Sequence, residues 1–105
     1  MLQSEKCKNF EGLRVISRDS HSDSRGEFYK IFNLDDFKKF GWDDSVKQIN
    51  FSQNFKKGTV RGMHMQFSTY AEYKLVTCIK GSIFDVVIDL RKEAKTYLKF
   101  FSIQL

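Results

Sequence analysis

Seven short segments rich in β-branched and aromatic residues recur along the chain: LRVIS (13–17), FYKIF (28–32), VKQINFSQN (46–54), TVRGMHMQ (59–66), YKLVTCIK (73–80), SIFDVVIDL (82–90) and YLKFFSIQL (97–105). Runs of that length at turn-sized intervals predict an all-β sandwich or barrel. The chain has 105 residues, 41% of them hydrophobic and 15% aromatic with 11 Phe, which predicts one folded domain over 1–105 and excludes a disordered chain.

One helix interrupts the pattern. In NLDDFKKFG (33–41), Asn33 can cap, Asp35 and Asp36 lie in the first turn, Lys38 and Lys39 in the last, and Gly41 follows as a stop. It is expected to cover a barrel end. At 80–82, KGS reads as a hairpin turn with Gly81 at positive φ, which makes 73–80 and 82–90 antiparallel neighbours. The last segment runs apolar to Leu105, and an exposed apolar edge of that kind calls for a partner chain or further sequence to cover it.

A formal charge of +5 and a pI near 9.3 suit an anionic partner. The lysines come in short pairs (Lys38 with Lys39, Lys56 with Lys57) and not in one basic run, which speaks against nucleic acid. Cys7 and Cys78 are far apart and no apolar leader follows Met1, so a reduced, cytoplasmic protein is expected. No apolar run approaches the ~18 residues of a membrane span, and neither CxxC nor paired-histidine spacing offers a zinc site.

Side chains alternate along a strand, so residues two apart share a face. In VKQINFSQN one face carries Gln48, Asn50, Ser52 and Asn54, and the other Ile49 and Phe51. The amide row faces solvent if the apolar face packs between sheets, and lines a pocket if the barrel is wet. In the next segment Val60, Gly62, His64 and Gln66 oppose Arg61, Met63, Met65 and Phe67, unless Gly62 marks a bulge. Phe84, Val86, Ile88 and Leu90 form an unbroken apolar face, with Asp85, Val87 and Asp89 on the opposite side. A lone histidine, lysine or aspartate in a strand is more often a structural or ion-paired group than a catalyst. Together, His64, Lys74 and Asp85 on neighbouring strands are expected to converge on one cavity.

SDSRGEFYKIF (22–32), QINFSQNFKKGTVRGMHMQ (48–66) and YKLVTCIKGSIFDVVIDLRKEAKT (73–96) resemble, in order and spacing, the motifs of dTDP-4-dehydrorhamnose 3,5-epimerases, cupin-fold enzymes of deoxysugar biosynthesis. The resemblance spans about residues 13–105. It implies a cupin-like antiparallel jelly roll with one short helix, incomplete or completed by a partner chain. Metal-binding cupins carry Gly, five residues, His-x-His, and later a Glu before another Gly. Here Gly58 and His64 fit that pattern, but Gln66 replaces the second histidine and Lys74, ahead of Gly81, replaces the glutamate. No metal and no cofactor are expected.

By the same resemblance His64 is the base that removes protons at C3 and C5 of a dTDP-4-keto-6-deoxy sugar, Lys74 stabilises the enolate oxygen, and Asp85 orients one of them. Gln48, Asn50 and Arg61 match positions that bind the nucleotide sugar. Arg25 and Phe28 match residues that reach a diphosphate or base across a dimer interface, which implies a homodimer with strand exchange. Family members continue past the position of Leu105, where they supply a tyrosine acid, a carboxylate paired with the histidine, and the last barrel strands. Lys30 stands where the family usually has a glutamate, and HMQFSTYAEYKLV lacks the usual prolines. The sequence therefore fits a shortened or fragmentary epimerase or a half barrel completed by a partner. The alternatives are a non-catalytic nucleotide-sugar-binding or assembly subunit, and a cupin sugar 3,4-ketoisomerase.

Overall fold

The computed structural model describes residues 2–42 and 45–105. Backbone N–H and C=O groups need partners, and here they find them in three antiparallel ribbons of two strands each. In the first, β1 (Leu2–Lys6) pairs with β2 (Arg14–Arg18), from Leu2 opposite Arg18 to Lys6 opposite Arg14. The connecting turn is closed by Cys7 N–H to Leu13 C=O at 3.2 Å and Phe10 N–H to Cys7 C=O at 3.1 Å. In the second, β3 (Ser20–Asp23) pairs with β4 (Gly26–Tyr29), leaving Ser24 and Arg25 at the tip.

The third ribbon joins β5 (Phe84–Ile88) to β6 (Phe100–Gln104), with Phe84 opposite Gln104 and Ile88 opposite Phe100. Its ladder runs on at both ends. Ile83 and Leu105 exchange backbone bonds of 3.0 and 2.9 Å, and Asp89 N–H donates to Lys99 C=O at 3.0 Å. The long connection is pinned by the buried Asp89 carboxylate, which accepts from Arg91 through its backbone N (3.0 Å), Nε (2.9 Å) and Nη2 (2.8 Å), and from the buried Thr96 hydroxyl.

The helix α1 (Leu34–Lys39) forms where its signals lie. Asp36 N–H donates to Asn33 Oδ1 at 3.0 Å, the acidic pair occupies the first turn, and Gly41 turns away at φ +100°. Its buried face is Phe37, 3% exposed, which packs against Phe32 at 4.5 Å, Phe40 at 5.7 Å and Trp42 at 5.9 Å. Trp42 in turn contacts Tyr73 at 5.5 Å. A 3-10 turn covers Ser68–Tyr70. Among the described residues the class is thus all-β with one short α-helix, and no helix is long and apolar enough to cross a membrane.

Three predicted strands are absent: 46–54, 59–66 and 73–80 carry no ladder. The hairpin across Gly81 is absent with them. Gly81 does take φ +82°, but the strand that follows it pairs with β6 and not with 73–80. The physical reason is that β-propensity measures fit to a pleated, half-buried surface, and a strand forms only where a neighbour supplies bonds. Among the described residues these three segments have no such neighbour. Conversely, β1 and the polar β3 went unpredicted because their pairing comes from hairpin closure and not from an apolar pattern.

The core is small for the chain. Leu2, Cys7 and Phe37 are its buried hydrophobic residues among those described. The accessible surface is 9553 Å², against about 6,100 Å² for a compact monomer of this mass. The radius of gyration is 15.4 Å, where a compact chain of this length has about 13 Å. In the third ribbon the inner face, with Val87 and Phe101, packs towards the first ribbon, where Phe10 meets Phe101 edge-on at 6.1 Å. On the opposite, apolar face Phe84 and Phe100 are exposed.

Candidate functional site

The segment from Ser45 to Phe67 is exposed throughout, and it carries most of the residues predicted to meet substrate. Gln48 and Asn50 are joined by a bond from Nε2 to Oδ1 of 3.2 Å, as residues of one face should be. Further along, the chain folds back on itself: Thr59 donates to Lys56 C=O through its N–H at 3.3 Å and its hydroxyl at 2.7 Å. That turn brings Arg61 onto Asn54, with Nε donating to Oδ1 at 2.7 Å. Gln53, Asn54, Phe55, Lys56, Thr59 and Arg61 then line an open hollow of about 300 Å³. Two cations beside an amide and a hydroxyl suit an oxyanion such as phosphate.

His64 depends on the residue before its neighbour. Gly62 takes φ +99°, and a Cβ built on it would lie 3.2 Å from His64 Nδ1, so only glycine leaves the ring its place. Two residues on, the Gln66 amide, turned to the orientation that suits its neighbours, donates to Tyr70 C=O at 3.3 Å and to Glu72 Oε1 at 3.2 Å. Lys74 Nζ lies 3.8 Å from the same Glu72 oxygen. One carboxylate therefore links the histidine-bearing segment to the lysine-bearing one.

Asp85 sits on the inner face of β5, half-buried and opposite Ile103. Among the described residues no hydrogen bond or ion pair joins His64, Lys74 and Asp85 to one another. The segment of His64 approaches β5 through Met65, which shares an apolar groove of about 400 Å³ with Phe10, Leu13, Val87 and Leu90.

At the tip of the second ribbon, Asp23 accepts from Arg25 through backbone N (2.8 Å), Nε (3.2 Å) and Nη2 (2.6 Å). These bonds from Arg25 hold the Asp23 carboxyl below the usual carboxylate range. Phe28, on the same ribbon, is 74% exposed and stands opposite His21. Lys30, where a glutamate is usual in the family it resembles, pairs loosely with Asp36 at 3.9 Å. Bonds from Arg91 and then Thr96 hold Asp89 well below the usual range, and burial followed by the charge of Glu5 pushes the Cys7 thiol up. Among the described residues no group of three or more His, Cys, Asp and Glu is placed to hold a metal ion.

Asp23 was not singled out from the sequence, Asn54 only as part of the amide row of 48–54, and Glu72 not at all. The first had a signal, since Asp-x-Arg occurs at both 23–25 and 89–91 with the same bonding. The other two act across seven and two residues and carry no local signature.

Comparison with known proteins follows the same residues. The family described as dTDP-4-dehydrorhamnose 3,5-epimerase matches residues 8–105. A protein of that name from Sinorhizobium fredii is 38% identical over 93 residues, covering 89% of this chain and 48% of its own. Those from Shigella flexneri and Escherichia coli are 39% identical over 84 residues and 34% over 96, covering 79% and 90% of this chain and 46% and 51% of theirs. No solved structure matches the chain. The chain spans about half the length of these curated relatives. With a match that runs through both Asp-x-Arg turns, the Arg61 hollow and the segments of His64 and Lys74, the chain belongs to the dTDP-4-dehydrorhamnose 3,5-epimerase family.

Proposed function

We propose that this chain carries the substrate-facing part of an epimerase that acts on a dTDP-4-keto-6-deoxy sugar in deoxysugar (rhamnose-type) biosynthesis. His64 removes the proton at C3, C5 or both, because an imidazole is the side chain whose ordinary pKa lies nearest neutrality. The electron pair moves onto the ketone oxygen, and the Lys74 ammonium stabilises the resulting enolate. Asp85 orients one of the two, and inversion needs a separate acid on the opposite face, such as the tyrosine that the resemblance implies, to return the proton there. Arg61, with Gln48 and Asn50, holds the nucleotide sugar, and Arg25 with Phe28 reaches the diphosphate or base from a second copy.

The observation that carries this reading is the family match over residues 8–105, which takes in every residue just named. The hollow of Lys56 and Arg61 supports the phosphate end of it. The chain works in the cytoplasm as a homodimer with strand exchange. The missing ladders at 46–54 and 59–66 and the exposed outer face of β5–β6 support the exchange. A second reading, a non-catalytic nucleotide-sugar-binding subunit, is favoured by the lack of any bond joining His64 to Lys74 or Asp85 while the Arg61 hollow is formed.

Incubation with dTDP-4-keto-6-deoxyglucose in heavy water separates the two. Deuterium entering at C3 or C5, and lost in His64→Ala, is the expected result. Binding of dTDP without exchange would select the second reading, and neither binding nor exchange would reject both.

A further inference from the structure

We infer that Asp23 is a positioning residue, which fixes the Arg25 guanidinium in one orientation so that its remaining edge is preset for a diphosphate. The inference rests on the proposed role of Arg25 in nucleotide-sugar binding.

The geometry separates two jobs within one carboxylate. The bond from Arg25 N–H to Asp23 Oδ1 at 2.8 Å staples the turn, and the ladder between Asp23 and Gly26 already closes the hairpin. The further bonds from Nε (3.2 Å) and Nη2 (2.6 Å) add nothing to the backbone; they act on the side chain alone. A guanidinium has five N–H donors in a rigid plane and two forks, one through Nε and Nη2 and one through Nη1 and Nη2. Asp23 occupies the first fork. The second stays available to an acceptor, on a side chain that is 88% exposed.

The second Asp-x-Arg turn shows the contrast. Asp89 makes the same three bonds to Arg91, but Thr96 also donates to it and its side chain is only 4% exposed against 53% for Arg91, so that carboxylate is committed to pinning the β5–β6 connection as well as its arginine. Asp23 has no such second donor residue among the described residues, and its arginine stands at a hairpin tip facing outward. Holding a long side chain in its binding rotamer removes an ordering cost from association. The carboxylate also neutralises part of the arginine's charge, which works against an anion, so the sign of the effect is a real test.

The experiment is calorimetry of dTDP with the whole chain and with Asp23→Asn, Arg25→Ala and the double variant, together with the Arg25 Nε–H resonance in a nitrogen-proton spectrum. Asp23→Asn is expected to weaken dTDP binding about 3- to 10-fold, to have no further effect once Arg25 is alanine, and to speed exchange of the Arg25 Nε–H. Asp23→Glu is expected to recover part of the affinity. Unchanged or tighter binding in Asp23→Asn, or an equal loss with Arg25 absent, would overturn the inference. If Arg25→Ala binds dTDP as the unaltered chain does, the proposed role of Arg25 falls and this inference with it. If the unaltered chain binds no dTDP, the nucleotide-sugar reading fails by itself. The resonance decides without any ligand: an Arg25 Nε–H that exchanges equally fast in the unaltered chain and in Asp23→Asn shows that Asp23 holds nothing.

Discussion

Arg61 is held by Asn54 through a bond of 2.7 Å from Nε to Oδ1, seven residues back along the chain. The bond engages the Nε–H of the guanidinium, and Arg61 and Lys56 both line the hollow. Arg61→Ala should weaken dTDP binding about tenfold or more if Arg61 makes the charge-assisted contact proposed for it. Asn54→Ala should lose only part of that, through a less fixed arginine, and the two losses should not add. Titration calorimetry on the single and double variants measures both.

Gly62 sets the place of the imidazole. In Gly62→Ala the new Cβ lies 3.2 Å from His64 Nδ1 on a backbone that L side chains rarely adopt, so the ring must shift. Proton exchange at the sugar carbons should fall severalfold while dTDP binding is little changed, because the ring must give way by a few tenths of an ångström on a strained backbone and proton transfer is sensitive to the placing of the base. Exchange rates in heavy water set against calorimetric affinity make the comparison.

Asp89 predicts an acid-sensitive fold. Its folded pKa is depressed, first by Arg91 and then by Thr96, below the ordinary value near 3.9. Its contribution to stability is therefore complete above the ordinary carboxylate range and is lost as pH falls through that range towards the folded value. Thermal midpoints should be flat between about pH 5 and 7 and decline below it. Asp89→Asn should flatten the decline, and an unchanged slope would assign it to other carboxylates, Asp23 among them.

Phe37 is the most buried large side chain of the aromatic cluster. Phe37→Ala should cost about 3 kcal/mol, the lower end for a buried ring, because its half-buried neighbours Phe32, Phe40 and Trp42 can close into part of the space. Trp42 is the single tryptophan and touches Phe37, so its fluorescence should shift to the red in the variant and the urea midpoint should fall.

Backbone exchange should divide the chain in the same way as its ladders. The amides of Phe84–Ile88 and Phe100–Gln104 are predicted to exchange slowly and those of 46–66 at rates near an unfolded chain. Slow exchange across 46–66 would mean that a second chain supplies its neighbour.

The helix was legible because its signals are local: Asn33, two aspartates, two lysines and Gly41 act within a few residues of one another. The positive φ of Gly81 was legible for the same reason, although the hairpin expected across it did not form. The segments 46–54, 59–66 and 73–80 read as strands from β-branched and aromatic content, yet strand formation is a property of two segments and depends on what lies alongside. Asp85 and Phe84 were assigned to opposite faces correctly by alternation, but alternation cannot say which face turns inward. At the site, Arg61 and His64 stood out by type, whereas Asn54 and Glu72, which restrain Arg61 and Lys74, are ordinary polar residues whose partners only the folded chain reveals.

The outward-facing rings of Phe84 and Phe100 have a thermodynamic consequence. Water ordered around them gives the chain a heat capacity that falls when any surface closes over the ribbon, by about 0.45 cal/mol/K for each Å² of apolar area removed. Association enthalpies measured at several temperatures will therefore steepen in proportion to the ring area covered, and so report from the outside how much of this face a companion occupies.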